Sequence, residues 1–96
     1  MSTTVIFGQF EWDTEKADAN SKKHSLDFYT ASLAFLDPKR VIAIDEKHSS
    51  SEERLYCVGQ IGKRIATVRF TMRKKRIRII GAGFWRAGRK LYEAKT

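Results

Sequence analysis

The spacing of apolar positions changes once along the chain, and the change separates a mostly helical front from a stranded back. Val5 to Trp12 reads as a strand with Phe7, Phe10 and Trp12 as its bulk. Asp13 can cap a helix that continues through Glu15, Ala17, Ala19 and Asn20 and fades near His24–Ser25. Trp12 and Ala17 would then stand at the two ends of a hydrophobic staple. Asp27 can cap a second helix, because Phe28, Ala31, Ser32 and Phe35 recur at i, i+3, i+4 and i+7. It ends before Asp37-Pro38, since proline disfavours helical backbone in the residue before it.

Beyond Pro38 the period becomes two. Val41–Asp45 and Glu53–Gln60 are candidate strands joined by a polar loop, and Gln60-Ile61-Gly62-Lys63 is a turn with Gly62 available for a positive φ. Arg64–Arg73 and Arg76–Gly81 follow as a hairpin, and a turn at Lys74-Lys75 sets Arg73 opposite Arg76 and Thr71 opposite Arg78. Two lysines are poor chemistry for so tight a turn, and a register slipped by pairs is the alternative. Ala66, Val68, Phe70 and Met72 share one face; Arg69 and Arg73 share the other with Arg76 and Arg78, a face expected to meet solvent. Trp85 to Lys95 reads as a basic helix anchored by Trp85, Leu91 and Tyr92. The order predicts an α+β fold: an antiparallel sheet of about four to five strands, two N-terminal helices and a C-terminal helix.

Composition narrows the class. At 96 residues the chain has room for one domain, 1–96, and 42% hydrophobic content is enough for a core. The longest uncharged stretch, Met1 to Phe10, is too short for a membrane span and lacks the features of a signal peptide, so a cytoplasmic protein without membrane association is expected. Cys57 is the one cysteine, which excludes an internal disulfide and reads as core filler. With two histidines beside it, no metal site or cofactor is expected.

Charge points to a partner. Residues 1–48 carry 6 basic and 8 acidic side chains, whereas residues 49–96 carry 13 basic, most of them Arg, and 3 acidic. Arg grips phosphate oxygens bidentately, so this asymmetry suits a polyanion. The row Arg69, Arg73, Arg76 and Arg78 is the main candidate surface; its bland alternative is an exposed face kept soluble by cations. A second constellation, Asp45, His48, Ser49, Glu52, Glu53 and Arg54, sets a histidine among carboxylates where it could pass protons, or is simply a solvated loop. Asn20, Lys23 and His24 form a third group, for which bonding to nearby backbone is the ordinary role. No phosphate-binding glycine loop, Ser-His-Asp order or zinc-protease motif is present.

Phe10-Glu11-Trp12-Asp13, Lys16, Asn20, Lys23-His24, Phe28 and Asp37-Pro38 resemble the N-terminal half of the BrnT family. Asp45, His48-Ser49, Glu52-Glu53-Arg54, Gly59, Arg76-Ile77-Arg78-Ile79-Ile80 and Tyr92-Glu93 resemble the remainder, in order and at similar spacing. The resemblance implies a RelE-like fold and a metal-independent endoribonuclease toxin that blocks translation. It also implies a BrnA-like ribbon-helix-helix antitoxin that neutralises the toxin and alone contacts operator DNA. Where the family commonly has Gly after Lys-His this chain has Ser25, and where many members have Ser-Ala-Arg it has Gly81-Ala82-Gly83.

RNA carries its own nucleophile in the 2′-hydroxyl, so such a site needs a proton acceptor and charge stabilisation. Arg54, Arg73 and Arg78 are assigned to the phosphate and Glu53 or His48 to the proton. Arg69, Arg76, Arg86, Lys23 and His24 are assigned to RNA contact. At Gly83 either a bend over Gly81–Gly83 swings Arg86 back toward the row, or the position of the family arginine is vacant and activity is weakened, the favoured alternative. The competing reading is a catalytically weak or inactive module that holds RNA or antitoxin without cleaving.

Overall fold

A computed structural model describes residues 2–95. In chain order its elements are β1 (Thr4–Phe7), β2 (Phe10–Asp13), α1 (Thr14–His24), α2 (Phe28–Ala31), β3 (Val41–Ile44), β4 (Leu55–Ile61), β5 (Arg64–Arg73), β6 (Arg76–Gly83) and α3 (Arg86–Lys95), with 3-10 turns at Ser32–Leu36 and Glu46–His48. The strands form one sheet in the order β1-β2-β6-β5-β4-β3. Every neighbouring pair is antiparallel except β2 and β6, which run parallel. The class is α+β as expected, but the sheet has six strands rather than four or five, and it is mixed rather than antiparallel.

The difference begins at the first strand. Val5 to Trp12 is a hairpin, not one strand: Gly8 at φ +59° reverses the chain and sets Phe7 opposite Phe10. Glycine reaches that left-handed conformation without steric cost, so two residues suffice for the turn. The hairpin's second strand then lies along the edge of β6, with Phe10 beside Ile77 and Glu11 beside Arg78. The Ile77 N–H donates to the Gln9 carbonyl at 2.8 Å to secure the join.

Both helix caps fall where the polar residues place them. The Asp13 carboxylate accepts from the Lys16 N–H at 3.0 Å, and that of Asp27 from the Thr30 N–H at 2.8 Å. Helix α1 ends on Ser25 at φ 55°, a left-handed position that glycine usually fills, so the resemblance's Gly-to-Ser change is a change of helix terminator. Past the end of β2, α1 runs beside β6. The Asn20 side-chain amide pairs with the main chain of Ala82, donating to its carbonyl at 2.9 Å and accepting its N–H at 3.1 Å, as a further strand would. The second helix is shorter than its pattern suggested, one α-turn that tightens into the 3-10 turn.

One face of the sheet carries the core, where Trp12, Phe28, Ala31, Ala34, Cys57, Val68, Phe70 and Ile79 pack together. Cys57 is fully buried there, and burial pushes its thiol up to about 12, so it is filler. Hairpin β5–β6 turns at Lys74-Lys75 in the expected register, with Arg73 opposite Arg76 and Thr71 opposite Arg78. A bulge then interrupts β6 at Ile80: Phe70 pairs with Ile79 but Arg69 with Gly81, so Ala82 faces the core while Gly83 faces Thr67's side.

The opposite face is not open as expected. Helix α3 covers part of it, with Gly88 set against Thr67, and Thr67 and Thr71 are buried. The Tyr92 hydroxyl ties α3 down by donating to the Asp37 carboxylate at 2.6 Å, which also accepts the Gln60 N–H at 2.8 Å.

Asp13, Asp27 and Asp37 all lie below the usual 3.8: the backbone N–H of Lys16 holds down Asp13, that of Thr30 Asp27, and the Tyr92 hydroxyl with the Gln60 N–H Asp37. A carboxyl depressed by folding stabilises the native state above its unfolded value, and loses that contribution as pH falls through the lower folded value. Urea midpoints should therefore be level above about pH 5 and decline below about pH 4, and Asp37→Asn should flatten the decline. A midpoint unchanged into strong acid would contradict these bonds.

Candidate nucleic-acid interface

The loop between β3 and β4 builds the site. At its neck the Asp45 N–H donates to the Arg54 carbonyl at 2.7 Å. The Ser49 hydroxyl donates to the Asp45 carbonyl at 2.6 Å and accepts the Arg54 N–H at 2.9 Å. The Thr71 hydroxyl then donates to the Glu53 carbonyl at 2.7 Å, which pins the closed loop across β5 and explains why Thr71 is buried. Closure of the loop sets Glu52 against Arg73.

Two ion pairs engage the row, one from this loop and one from β2. Glu52 meets Arg73 at 3.2 Å, with the arginine half exposed. Glu11, from β2, meets Arg78 at 2.6 Å, with the side chains only 15% and 20% exposed respectively. The bond from Arg73 leads in holding Glu52 below its usual range, against some burial and with help from the charges of Arg73, Arg54 and Arg78. Arg76 donates to the Gly8 carbonyl at 2.7 Å. A cleft of about 610 Å³ opens beside Glu11, Arg73, Lys74, Lys75 and Arg76.

A second cluster adjoins the row. His48 Nδ1 lies 2.9 Å from Asp45 Oδ2, with the imidazole half exposed and the carboxylate buried. Burial opposes ionisation of Asp45, but hydrogen bonds from His48 and Tyr56 and the charges of His48 and Arg69 outweigh it and hold the carboxyl below its usual range. An ionised carboxylate only accepts, so Nδ1 carries the proton toward it, and in the neutral form of the imidazole the lone pair is on Nε2. Tyr56, whose phenol is pushed up by burial and by its bond to Asp45, sits opposite Arg69 across β4 and β5. The Arg69 Nε is buried without a hydrogen-bond partner among the described residues.

The structure thus brings Arg54, Arg69, Arg73, Arg76 and Arg78 together with His48, Glu52, Asp45, Glu11 and Tyr56. Sequence reading missed Tyr56 and Glu11 as members; strand register is the signal that would have found both. Glu53 supplies its backbone to the loop, and its side chain is exposed. Lys23 and His24 lie elsewhere, on the last turn of α1, where the His24 ring packs edge-on against Trp85 with centroids 5.1 Å apart. Arg86 does not return to the row. It lines a cleft with Arg64, at the opposite end of β5 from Arg73, about 30 Å away at ~3.3 Å per residue. Nor does Gly83 leave a vacancy, because a Cβ there would lie 2.6 Å from the Trp85 indole, which occupies the space.

Among the described residues no three His, Cys, Asp or Glu side chains gather so as to hold a metal ion. No helix of the described chain is long and apolar enough to cross a membrane.

Fold and site define a small α+β protein whose polar sheet face gathers arginines, carboxylates and a carboxylate-held histidine, an arrangement suited to a phosphodiester polyanion. The family model described as the ribonuclease toxin, BrnT, of type II toxin–antitoxin systems matches residues 12–87. The chain belongs to that family, and membership implies an RNA substrate and an antitoxin partner. No curated protein matches the chain.

The two ion pairs should respond differently to mutation. Arg78→Ala strands a largely buried carboxylate and should cost about 1–3 kcal/mol in urea denaturation. Arg73→Ala removes an exposed partner and should leave stability close to the parent's. Equal losses from the two variants would contradict the burial difference.

Proposed function

We propose that the protein is a metal-independent endoribonuclease of RelE-like fold acting in the cytoplasm as a single domain. The observation that carries the reading is the Asp45–His48 bond at 2.9 Å beside a row of arginines. With Nδ1 engaged, His48 Nε2 takes the proton of the RNA 2′-hydroxyl. The 2′-oxygen bonds to phosphorus, the bond from phosphorus to the 5′-oxygen breaks, and that oxygen is protonated by the imidazolium. Arg73, with Arg54 and Arg69, offsets the charge that builds on the phosphate. Asp45 orients the imidazole and stabilises its charged form, as a buried carboxylate does for a catalytic histidine. Arg78 supports the row through Glu11, while Arg76 and the adjoining lysines hold flanking phosphates. Glu53, exposed at the loop, is the alternative proton carrier.

Purified protein with end-labelled RNA in excess chelator tests this. Cleavage should persist and give a cyclic or 3′-phosphate and a free 5′-hydroxyl. His48→Ala should slow it by roughly 10²–10⁴-fold with the fold retained. Activity lost to chelator and restored by magnesium would overturn the mechanism.

The partner is read as a BrnA-like ribbon-helix-helix antitoxin that contacts operator DNA on behalf of the pair. An acidic segment of it covers the β5–β6 hairpin and thereby occupies the substrate face. Its association should slow as salt rises, and its hydrogen-exchange footprint should include Lys74, Lys75 and Arg76. A footprint confined to α1 and α2 would place inhibition elsewhere.

A further inference from the structure

We infer that the cleft between α3 and the start of β5 is a second subsite for single-stranded RNA, seating an unpaired base against Trp85 and its flanking phosphates on Arg64, Arg86 and Lys90. This deepens the reading of the chain as an RNA-cleaving protein and rests on it.

Uncompensated charge is the first support. In the arginine row, Arg73 and Arg78 each meet a carboxylate. Around this cleft, among the described residues, only Arg89 is ion-paired, to Glu93 at 3.2 Å, while Arg64, Arg86 and Lys90 meet no carboxylate within 4.0 Å. Three unneutralised cations around one concavity repel one another and gain from an anion that enters.

Aromatic walls are the second support. The Arg64 guanidinium lies over the Phe84 ring, 3.5 Å from its centroid, which fixes that cation at the cleft wall. Trp85 is braced by the His24 ring on one side and seated over Gly83, where the missing side chain makes room for the indole. It is only partly buried and lines the cleft. An indole held rigid from behind beside cations is the pairing of stacking platform and phosphate grip that single-stranded nucleic acid uses. The third support is size, since the cleft of about 500 Å³ falls in the ordinary range of small-ligand sites and can take a nucleotide. Arg89 and Lys90 lie past residue 87, where the family match stops, so these helix cations are carried by a segment outside the matched core.

The cleft is about 30 Å along β5 from Arg73, so only a longer RNA can engage both. The test compares the parent with Arg64→Glu/Lys90→Glu, and with the milder Arg64→Gln/Lys90→Gln should charge reversal disturb the circular dichroism. The probe is a labelled single-stranded RNA of about twelve nucleotides with 2′-O-methyl groups, which cannot be cleaved at the 2′-oxygen. Anisotropy should show at least a tenfold loss of affinity for the reversal variant, and a salt slope flatter by about 1.4, two contacts at ~0.7 each. Because Trp12 is buried, quenching of the parent's tryptophan emission by the oligonucleotide should report Trp85. Cleavage of an unmodified RNA of about four nucleotides, which spans only ~14 Å at the stacked rise, should remain within twofold of the parent's. A parent that cleaves and binds RNA, with a variant that binds as tightly, would overturn the subsite and leave the nuclease reading standing. A parent that neither binds nor cleaves RNA overturns both. Loss of antitoxin affinity with RNA affinity intact would make the cleft a protein-docking surface and overturn the proposal.

Discussion

The pair between Arg78 and Glu11 holds two parts of the sheet together and sets the charge of the site in the same contact. The two residues are register partners across β2 and β6, the one parallel seam in the sheet. That seam is short, covering Phe10 and Glu11, and it must attach a whole hairpin to the edge of β6. A charge-assisted bond at 2.6 Å between largely covered side chains gives the seam a directional contact that two backbone positions could not supply. Past the seam α1 takes over, and the Asn20 amide satisfies Ala82 where no strand follows.

What could be read beforehand followed from local chemistry. The two aspartate caps and the end of the helical segment at Leu36 before Pro38 depend on residues close in sequence, and each lies where the pattern put it. The Lys74-Lys75 turn, by contrast, closes with Lys74 at φ 56° although its residues do not favour a tight turn. The Gly8 turn was hidden because apolar residues continue on both sides of it, so alternation alone read as one strand. The bulge at Ile80 was hidden because Ile79, Ile80 and their small neighbours carry no signal of where a strand skips a position. Both determine the site: the first brings Glu11 to Arg78, the second turns Gly83 under Trp85. Asp45 and His48 were legible as neighbours three residues apart, whereas Tyr56 joins them only through the pairing of β4 with β5 and the closure of the loop.

The expectation of a bare cationic face also failed for a physical reason. Like charges opposite one another on a sheet repel, and the chain supplies its own carboxylates from two distant segments, β2 and the β3–β4 loop. Burial divides the result. The Glu11–Arg78 pair is largely covered, and separating it would leave a charge poorly solvated. The Glu52–Arg73 pair is exposed, and such pairs contribute little net stability, so a phosphate can displace the carboxylate at small cost.

That division assigns different work to residues that look alike in sequence. Arg78 keeps the seam closed; Arg73 is available to exchange partners; Arg69 backs the Asp45 carboxylate with a positive field. Exchange at Arg73 also releases Glu52, which is carried on the same loop as His48, with Ser49 and Thr71 fixing that loop at its neck and across β5. On the proposed reading, substrate arrival and the setting of the histidine thus act on one short segment whose main chain is held at both ends. The imidazole needs no rearrangement on the proposed mechanism, because the Asp45 carboxylate favours a proton on Nδ1 and so directs Nε2 to the substrate. For that proposed mechanism, orientation fixed in advance is worth more than additional charge, since the energy of ordering His48 is spent in folding rather than at the chemical step.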